Sequence, residues 1–505
     1  MGPQPEPPLR RPQALMAALV FLGMAVAVIS SLGAPLVPRI AAADHVSLSD
    51  AQWSLTITLL VGAVATPTMG RLGDGPRRRS VILGAAAVML IGSVLAALPL
   101  GFGSLIAGRA LQGVGAGLTP LAIATARDCL PPDRSRPAVA LLSITTVAGV
   151  GLGYPLTGLI AQSLGLHAAF WFGAVISAAA LAGAARVLPP TRHLTPHPLD
   201  VLGAVLFGAA LAGLLLVLSE GGTWGWTSPR LLGLIAASLA ALAWWTVHEL
   251  RTAHPLVDLR LLKDRTVLTA DVTILIAGTG IYLLMSLVTR FAQTPATAGY
   301  GFGASVAVTG LILLPFSAAS VAAGKVAPVL TRHTSTRLVL PLGCAVALVS
   351  TLSFALAHSA LWELFLAMGI TGLGVGCTFA VIPGLIVGSV PARETGSAIS
   401  FNQVLRAVGY STGSALSATV LQAHTPAGHT LPSGDGYLIA ALTGCAIWMT
   451  AMMVAIVLPR RRGAATDTRT RDDEELTVKD SSRDTATAEG GAPAPRQVPG
   501  VRSTP

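Results

Sequence analysis

Asp74 is the single acid in a turn crowded with arginine, Gly70-Arg71-Leu72-Gly73-Asp74-Gly75-Pro76-Arg77-Arg78-Arg79. A carboxylate in such a turn can pair with arginine or accept hydrogen bonds from a helix N-terminus, and the small residues let two helix ends come close. Gly70, Asp74, Arg77, Arg78 and Arg79 could therefore form a latch that holds one conformational state. The alternative is a basic loop that only sets orientation in a membrane. Arg109 lies within the apolar run Leu105-Ile106-Ala107-Gly108-Arg109-Ala110-Leu111-Gln112-Gly113. A charge inside a membrane span must face a cavity or a partner, unless it sits near the helix end and snorkels to the interface.

Asp271, in Thr269-Ala270-Asp271-Val272-Thr273, is the one acid placed clearly inside a later apolar run. An intramembrane carboxylate is a candidate for binding protons or cationic substrates; if the helix starts later, Asp271 is only interfacial. Asn402, Gln403 and Arg406 recur at helical spacing on one face. With Gln112 they are candidates to line a cavity, or else they hydrogen-bond between helices. Gly149-Val150-Gly151-Leu152-Gly153-Tyr154-Pro155-Leu156-Thr157-Gly158 places Gly149, Gly153, Pro155 and Gly158 in a run whose proline removes a backbone hydrogen bond and whose glycines permit close helix packing. Three further patterns carry no chemistry. Gly113, Gly115 and Gly117 follow no strand and are not a phosphate loop; His193 and His197 are separated by Pro196 and are not a metal pair; Cys129, Cys344, Cys377 and Cys445 have no zinc or disulfide spacing. No metal or other cofactor is expected, and no enzyme motif is present.

The elements that must position these residues are transmembrane helices. Of the 505 residues, 52% are apolar and 11% charged, against about 25% charged in a soluble domain. That excludes a soluble globular protein of this size, and the net charge of +10 is not gathered into a nucleic-acid-binding stripe. A span needs about 20 apolar residues. Fourteen runs qualify, near 14–37, 52–72, 80–98, 104–126, 138–162, 167–188, 200–219, 229–248, 267–290, 303–325, 337–357, 361–388, 398–422 and 437–459. The first follows Arg10 and Arg11 and is long enough to be a retained helix and not a cleaved signal.

Basic residues mark the side. Arg77 to Arg79, Arg127, Arg134, Arg136, Arg192, Arg251, Arg260, Lys263, Arg265, Lys325, Arg332, Arg337, Arg393 and Arg460 to Arg462 fall in loops on the side of the N-terminus; Arg39, Arg230 and Arg290 fall on the other. The positive-inside rule then predicts both termini in the cytoplasm. After Arg460 the composition turns polar, and eight of the 23 acids lie there. Such a stretch cannot offset its ordering entropy.

A weak internal repeat runs through the chain. Gln112-Gly113-Val114-Gly115-Ala116-Gly117 matches Thr371-Gly372-Leu373-Gly374-Val375-Gly376 at an offset of 259, and Gly70-Arg71-Leu72-Gly73 matches Gly324-Lys325-Val326-Ala327 at an offset of 254. Two related six-helix halves separated by an extra pair explain this. The predicted organisation is a cytoplasmic N-terminal segment (1–13), a six-helix bundle (14–188), inserted helices 7 and 8 (200–248), a second six-helix bundle (267–459) and a disordered cytoplasmic tail (460–505).

In combination these motifs resemble the major facilitator superfamily, and within it the fourteen-helix drug:proton antiporter branch. Gly70 to Arg79 is similar to the superfamily's signature in the loop after the second helix, Leu105 to Gly117 to its helix 4 signature, and Gly149 to Gly158 to its helix 5 antiporter signature. Leu199-Asp200-Val201-Leu202-Gly203 and Gly222-Thr223-Trp224-Gly225-Trp226 resemble the inserted pair of this branch. The resemblance implies two bundles alternating in access about a central site in a bacterial plasma membrane, exporting hydrophobic or cationic compounds, antibiotics among them, against proton entry. It implies that Asp74 stabilises the outward-facing state, that Arg109 is tied to proton coupling and that the Gly149 to Gly158 run governs exchange. There are three departures. Arg77 stands where glycine is usual, Tyr154 separates Gly153 from Pro155, and Val28-Ile29-Ser30-Ser31-Leu32-Gly33 has no Asp. The missing acid draws attention to Asp271 and leaves open a uniporter or importer on the same fold.

Overall fold

In the computed structural model the described residues are 12–33, 36–46, 48–190, 200–253, 255–334, 336–391, 394–426 and 431–457. The predicted tail 460–505, most of the N-terminal segment, His193, His197, Arg192 and Arg393 lie outside them. Among the described residues the chain is all helix and turn, with no strand.

The first bundle consists of α1 (Pro12–Ser31), a short α2 (Val37–Ala43), α3 (Leu48–Gly73), α4 (Arg78–Ala97), α5 (Phe102–Gly113), α6 (Leu118–Cys129), α7 (Pro132–Leu164) and α8 (Leu166–Val187). Two helices follow, α9 (Val201–Trp224) and α10 (Pro229–Arg251). The second bundle contains α11 (Arg265–Gln293), α12 (Val306–Ile312), α13 (Leu314–His333), α14 (Thr336–Leu356), α15 (Leu361–Ser389), α16 (Thr395–Ala423) and α17 (Gly434–Ile456). Among the described residues, eleven helical segments are long and apolar enough to cross a membrane, against the fourteen runs expected.

Local sequence sets the starts. Asp200, Ser228, Asp264, Ser305 and Ser433 each place a side-chain oxygen on a backbone N–H of the following first turn, satisfying donors that have no partner within the helix. Large apolar side chains such as Ile91, Val175, Trp244, Leu338 and Met453 are left exposed on the outside of the bundle, as a lipid-facing surface requires.

Two expected runs are broken. The run 104–126 is not one α-helix: Val114–Gly117 forms a tighter 3-10 turn between α5 and α6. Glycines there have no side chain to hold off their neighbours, and Gly115 and Gly117 sit under the sulfurs of Met89 and Met69 (2.6 Å from the site of a Cβ in each case). The run 303–325 splits at Leu313, where Pro315 opens α13, because proline suits a first turn but not a helix interior.

The repeat is visible in the packing. Gly113 presses against the Thr58 carbonyl of α3, where a Cβ would stand 2.5 Å from the oxygen; Gly372, its counterpart at the offset of 259, presses against Phe316 of α13 in the same way. Gly92 and Gly108 let α4 and α5 touch backbone to backbone, and Gly343 and Gly374 do so for α14 and α15. Lipid gives no hydrophobic drive between helices, so such close contacts and the dispersion they allow hold a bundle together.

The bundles meet along two seams. In one, α3 and α6 face α16; in the other, α7 faces α12, α13 and α15. The inserted α9 lies against both α3 and α16, with α10 outside it. Phe207 and Trp245 meet with ring centroids 4.4 Å apart and planes tilted by 33° where the pair is anchored, and Phe401 of α16 approaches the Phe207 ring at 6.4 Å.

Candidate functional site

Where α3 ends and α16 begins, Asp74 is 2% exposed. Its Oδ1 accepts the Gly396 N–H at 2.7 Å and its Oδ2 accepts the Ser397 N–H at 2.8 Å. Both donors belong to the first turn of α16, where backbone N–H groups have no helical partner and the helix dipole favours an anion. Glycine is required on both sides. A Cβ on Gly396 would stand 2.5 Å from Asp74 Oδ1, and one on Gly70 would stand 2.8 Å from the Gly396 carbonyl oxygen. Burial pushes the Asp74 carboxyl up from 3.8 to about 7; the two backbone N–H groups, then Arg78 and Arg71, pull the other way.

The arginines of the predicted latch divide. Arg78 donates to the Gly73 carbonyl at 2.6 Å and pairs with Asp128 at 2.6 Å, and Arg79 donates to the Ala185 carbonyl at 2.9 Å. These bonds brace α4 against α6 and α8, inside the first bundle. Arg77 is exposed at the start of α4. The arginine that does cross to α16 is Arg127 of α6, which donates to Thr395 Oγ1 and, at 3.1 Å, to the Val390 carbonyl. In the sequence Arg127 reads only as one of the orientation-setting loop arginines. The apolar contact of the other seam is the counterpart of Gly70: Gly324 of α13 abuts Ile144 of α7, with Cγ1 3.2 Å from the site of a Cβ.

Arg109 does not snorkel; it is 0% exposed. Its Nε donates to the Ser54 carbonyl at 2.9 Å, and its Nη1 donates to the Ile29 carbonyl at 3.0 Å and to Gln112 Oε1 at 2.6 Å. Its own carbonyl accepts from Thr58 Oγ1 at 3.0 Å. One guanidinium thus ties α5 to α1 and α3. Its Nη2 makes no hydrogen bond and points at Gly33, where a Cβ would stand 2.9 Å away. Gln112, expected to line a cavity, is 2% exposed and spans Arg109 and Ser93 Oγ, to which it donates at 3.1 Å. It holds the arginine in place and lines no open space.

Asp271 lies in the second turn of α11 and is 3% exposed, so it is packed inside the bundle and faces neither lipid nor water. Its Oδ1 accepts from Asn402 Nδ2 at 2.8 Å. Asn402 is buried with it, while Gln403 is half-buried on the adjoining face of α16. One turn further, Arg406 lies between the rings of Phe379 and Tyr410. A single helix, α16, therefore carries the docking point for Asp74, the partner of Asp271 and the arginine, in that order along its length.

The Gly149 to Gly158 run divides as well. Gly149 and Gly153 seat α7 on α1, against Ala27 and Ser31. Pro155 meets the second bundle, its Cα 3.1 Å from where a Cβ on Gly310 of α12 would be, while Gly158 faces open space. Tyr154, the residue that interrupts the expected Gly-Pro pair, interacts electrostatically with Tyr282 of α11. Neither Tyr282 nor Tyr410 drew notice in the sequence, because nothing distinguishes a lone tyrosine in an apolar run until its neighbours are known. Glu249 of α10 was missed for the same reason. It is 1% exposed, beside Asp200, with Trp245 and the Leu256 and Val257 backbone nearby.

The family model of the Major Facilitator Superfamily matches residues 14–414. Among curated proteins, the uncharacterised MFS-type transporter Rv1877 of Mycobacterium tuberculosis is 30% identical over 420 residues, 81% of this chain and 59% of the relative; the chain thus spans under two thirds of that protein's length. The tetracenomycin C resistance and export protein of Streptomyces glaucescens is 28% identical over 80% of this chain and 75% of its own length. Multidrug resistance protein 3 of Bacillus subtilis is 26% identical over 75% and 73%. Among solved structures, the human organic anion transporter MFSD10 superposes with a TM-score of 0.61 at 16% identity, covering 89% of this chain and 100% of that one, a likeness of fold.

Proposed function

The chain belongs to the Major Facilitator Superfamily, a multi-pass membrane transporter family, and from that premise we propose that it exports drugs, antibiotics or a hydrophobic natural product against proton entry, across a bacterial plasma membrane. On this reading the fourteen expected spans put both termini in the cytoplasm, the latch end of the bundle is the cytoplasmic end, and the inserted α9 and α10 separate two six-helix halves. Relatives named for multidrug resistance and for tetracenomycin export support the substrate class.

The observation that carries the reading is the pair of hydrogen bonds from Gly396 and Ser397 to Asp74. They join the tip of one helix of the first bundle to the start of one helix of the second, a contact of the kind a two-state device must make and break. With them formed, the cytoplasmic end is shut and the protein faces outward. Arg109 holds α1, α3 and α5 in register, and Asp271, buried against Asn402, is the carboxylate for the proton. A hydrogen bond to a charged group contributes about 1.5–3 kcal/mol, so proton binding at one carboxylate is of the right size to bias such an equilibrium.

The test is uptake into everted vesicles. Accumulation of an exported compound should need an inwardly acid lumen and vanish when a protonophore collapses the gradient; accumulation that persists without a gradient refutes proton coupling. A second reading, a uniporter or importer, is favoured by one observation: Val28 to Gly33 carries no acid. Counterflow without proton movement would select it.

A further inference from the structure

Tyr282 of α11 and Tyr410 of α16 stack with ring centroids 4.3 Å apart and planes 25° from parallel. The guanidinium carbon of Arg406, one turn from Tyr410, sits 5.9 Å from that ring and 5.5 Å from the ring of Phe379 on α15. Tyr154 reaches the group from α7 in the other bundle through Tyr282. Four helices from both bundles thus bring one cation, three phenols and a further ring to the middle of α11 and α16. Arg406 is 8% exposed and the three tyrosines are half-buried. That residual exposure lies halfway along helices drawn from both bundles.

The chemistry of the group is selective. A guanidinium recognises carboxylate or phenolate oxygen with directional, charge-assisted hydrogen bonds. Aromatic faces take a planar ring offset or edge-on, and phenol O–H groups donate to or accept from hydroxyls. A cationic cargo would have to lie against Arg406. The acid that could offset this, Asp271, is one turn nearer the latch and already engaged by Asn402 at 2.8 Å. We propose that the cargo is a planar aromatic compound bearing an acidic oxygen, a phenolate or a carboxylate, bound by Arg406 and stacked among Tyr154, Tyr282 and Tyr410. This rests on the exporter reading and replaces the cationic class within it.

The test uses the full chain in lipid nanodiscs and two dyes that share a ring system, fluorescein, an anionic phenol, and rhodamine 6G, a cation. Fluorescence anisotropy should show fluorescein bound about tenfold or more tightly than rhodamine, the range expected of one charge-assisted contact. Arg406→Gln should abolish that preference. Arg406→Lys, which keeps the charge and loses the planar fork, should retain the preference with weaker binding; it serves if the glutamine variant melts early. Equal or reversed preference in the wild type, binding of neither dye, or full preference in folded Arg406→Gln overturns the proposal. Selective binding with no gradient-driven uptake in everted vesicles would leave the site standing and remove the exporter reading instead.

Discussion

Asp74 is 322 residues from Gly396 in the chain and 2.7 Å from its backbone nitrogen. The bond matters because it is made to a main-chain group, so no side chain on α16 has to be kept for it. What must be kept is the absence of one, at Gly396 and at Gly70.

Asp74→Ala leaves the Gly396 and Ser397 N–H groups with no acceptor. With about 1.5 kcal/mol or more lost from the latched state, the population open at this end should rise about tenfold. Thiol labelling of a cysteine placed at Ser400, which faces Gly70, reads this directly; unchanged labelling would disconnect Asp74 from the opening.

The latch should also titrate. Burial raises the Asp74 carboxyl from 3.8 to about 7 when the latch is shut, so the shut state holds the proton more tightly than an open, hydrated one. Stabilisation from this group is fully present below the ordinary carboxylate value and is lost as pH rises towards about 7. Labelling at Ser400 should therefore increase between about pH 4 and pH 7 and level off above. The Asp74→Ala variant should show no such slope.

Arg109→Lys keeps a charge but cannot span the Ser54, Ile29 and Gln112 oxygens at once. Both it and Arg109→Ala should insert and lose uphill transport. In an efflux-deficient bacterial host, with membrane expression matched, resistance raised by the wild type should fall to the level of the empty vector. Resistance kept by either variant would detach this arginine from coupling.

Asp271→Asn can still hydrogen-bond Asn402 but can carry no proton. Uphill export of every compound should fall together, while downhill exchange continues. Loss confined to one charge class of cargo would make Asp271 a substrate contact instead.

Close-packed glycines give a stability prediction. A Cβ on Gly92 would stand 2.6 Å from the Gly108 oxygen and 2.7 Å from the Leu111 Cβ, whereas one on Gly84 meets nothing within 4 Å. Gly92→Ala should lower stability by about 1–3 kcal/mol, seen as a drop in the melting temperature in detergent; Gly84→Ala should leave it unchanged.

The all-helical membrane architecture is readable because apolar length is a local property, and the 259 offset survives as paired close contacts at Gly113 and Gly372. Contacts between distant segments leave no such trace. Arg127 looks like any loop arginine until α16 is folded beside it. Gln112 reads as a cavity residue because polarity in a span is visible while burial is not; in the structure it is a strut for Arg109. The 3-10 turn at Val114–Gly117 was hidden because glycine marks close approach without saying whether the helix survives it.

The two bundle seams are unlike at the latch end, Asp74 on Gly396 at one and Gly324 on Ile144 at the other. The second has the chemistry of a bearing. Smooth apolar contact has no directional bonds to break, so one surface can roll on the other at little cost. Position 328, which matches Asp74 at the offset of 254, is Pro328 and has no acid to clasp with. On the export reading, movement at this end would be that of a door hung on the α13–α7 side and bolted on the α3–α16 side. On that reading pH acts on the bolt through Asp74.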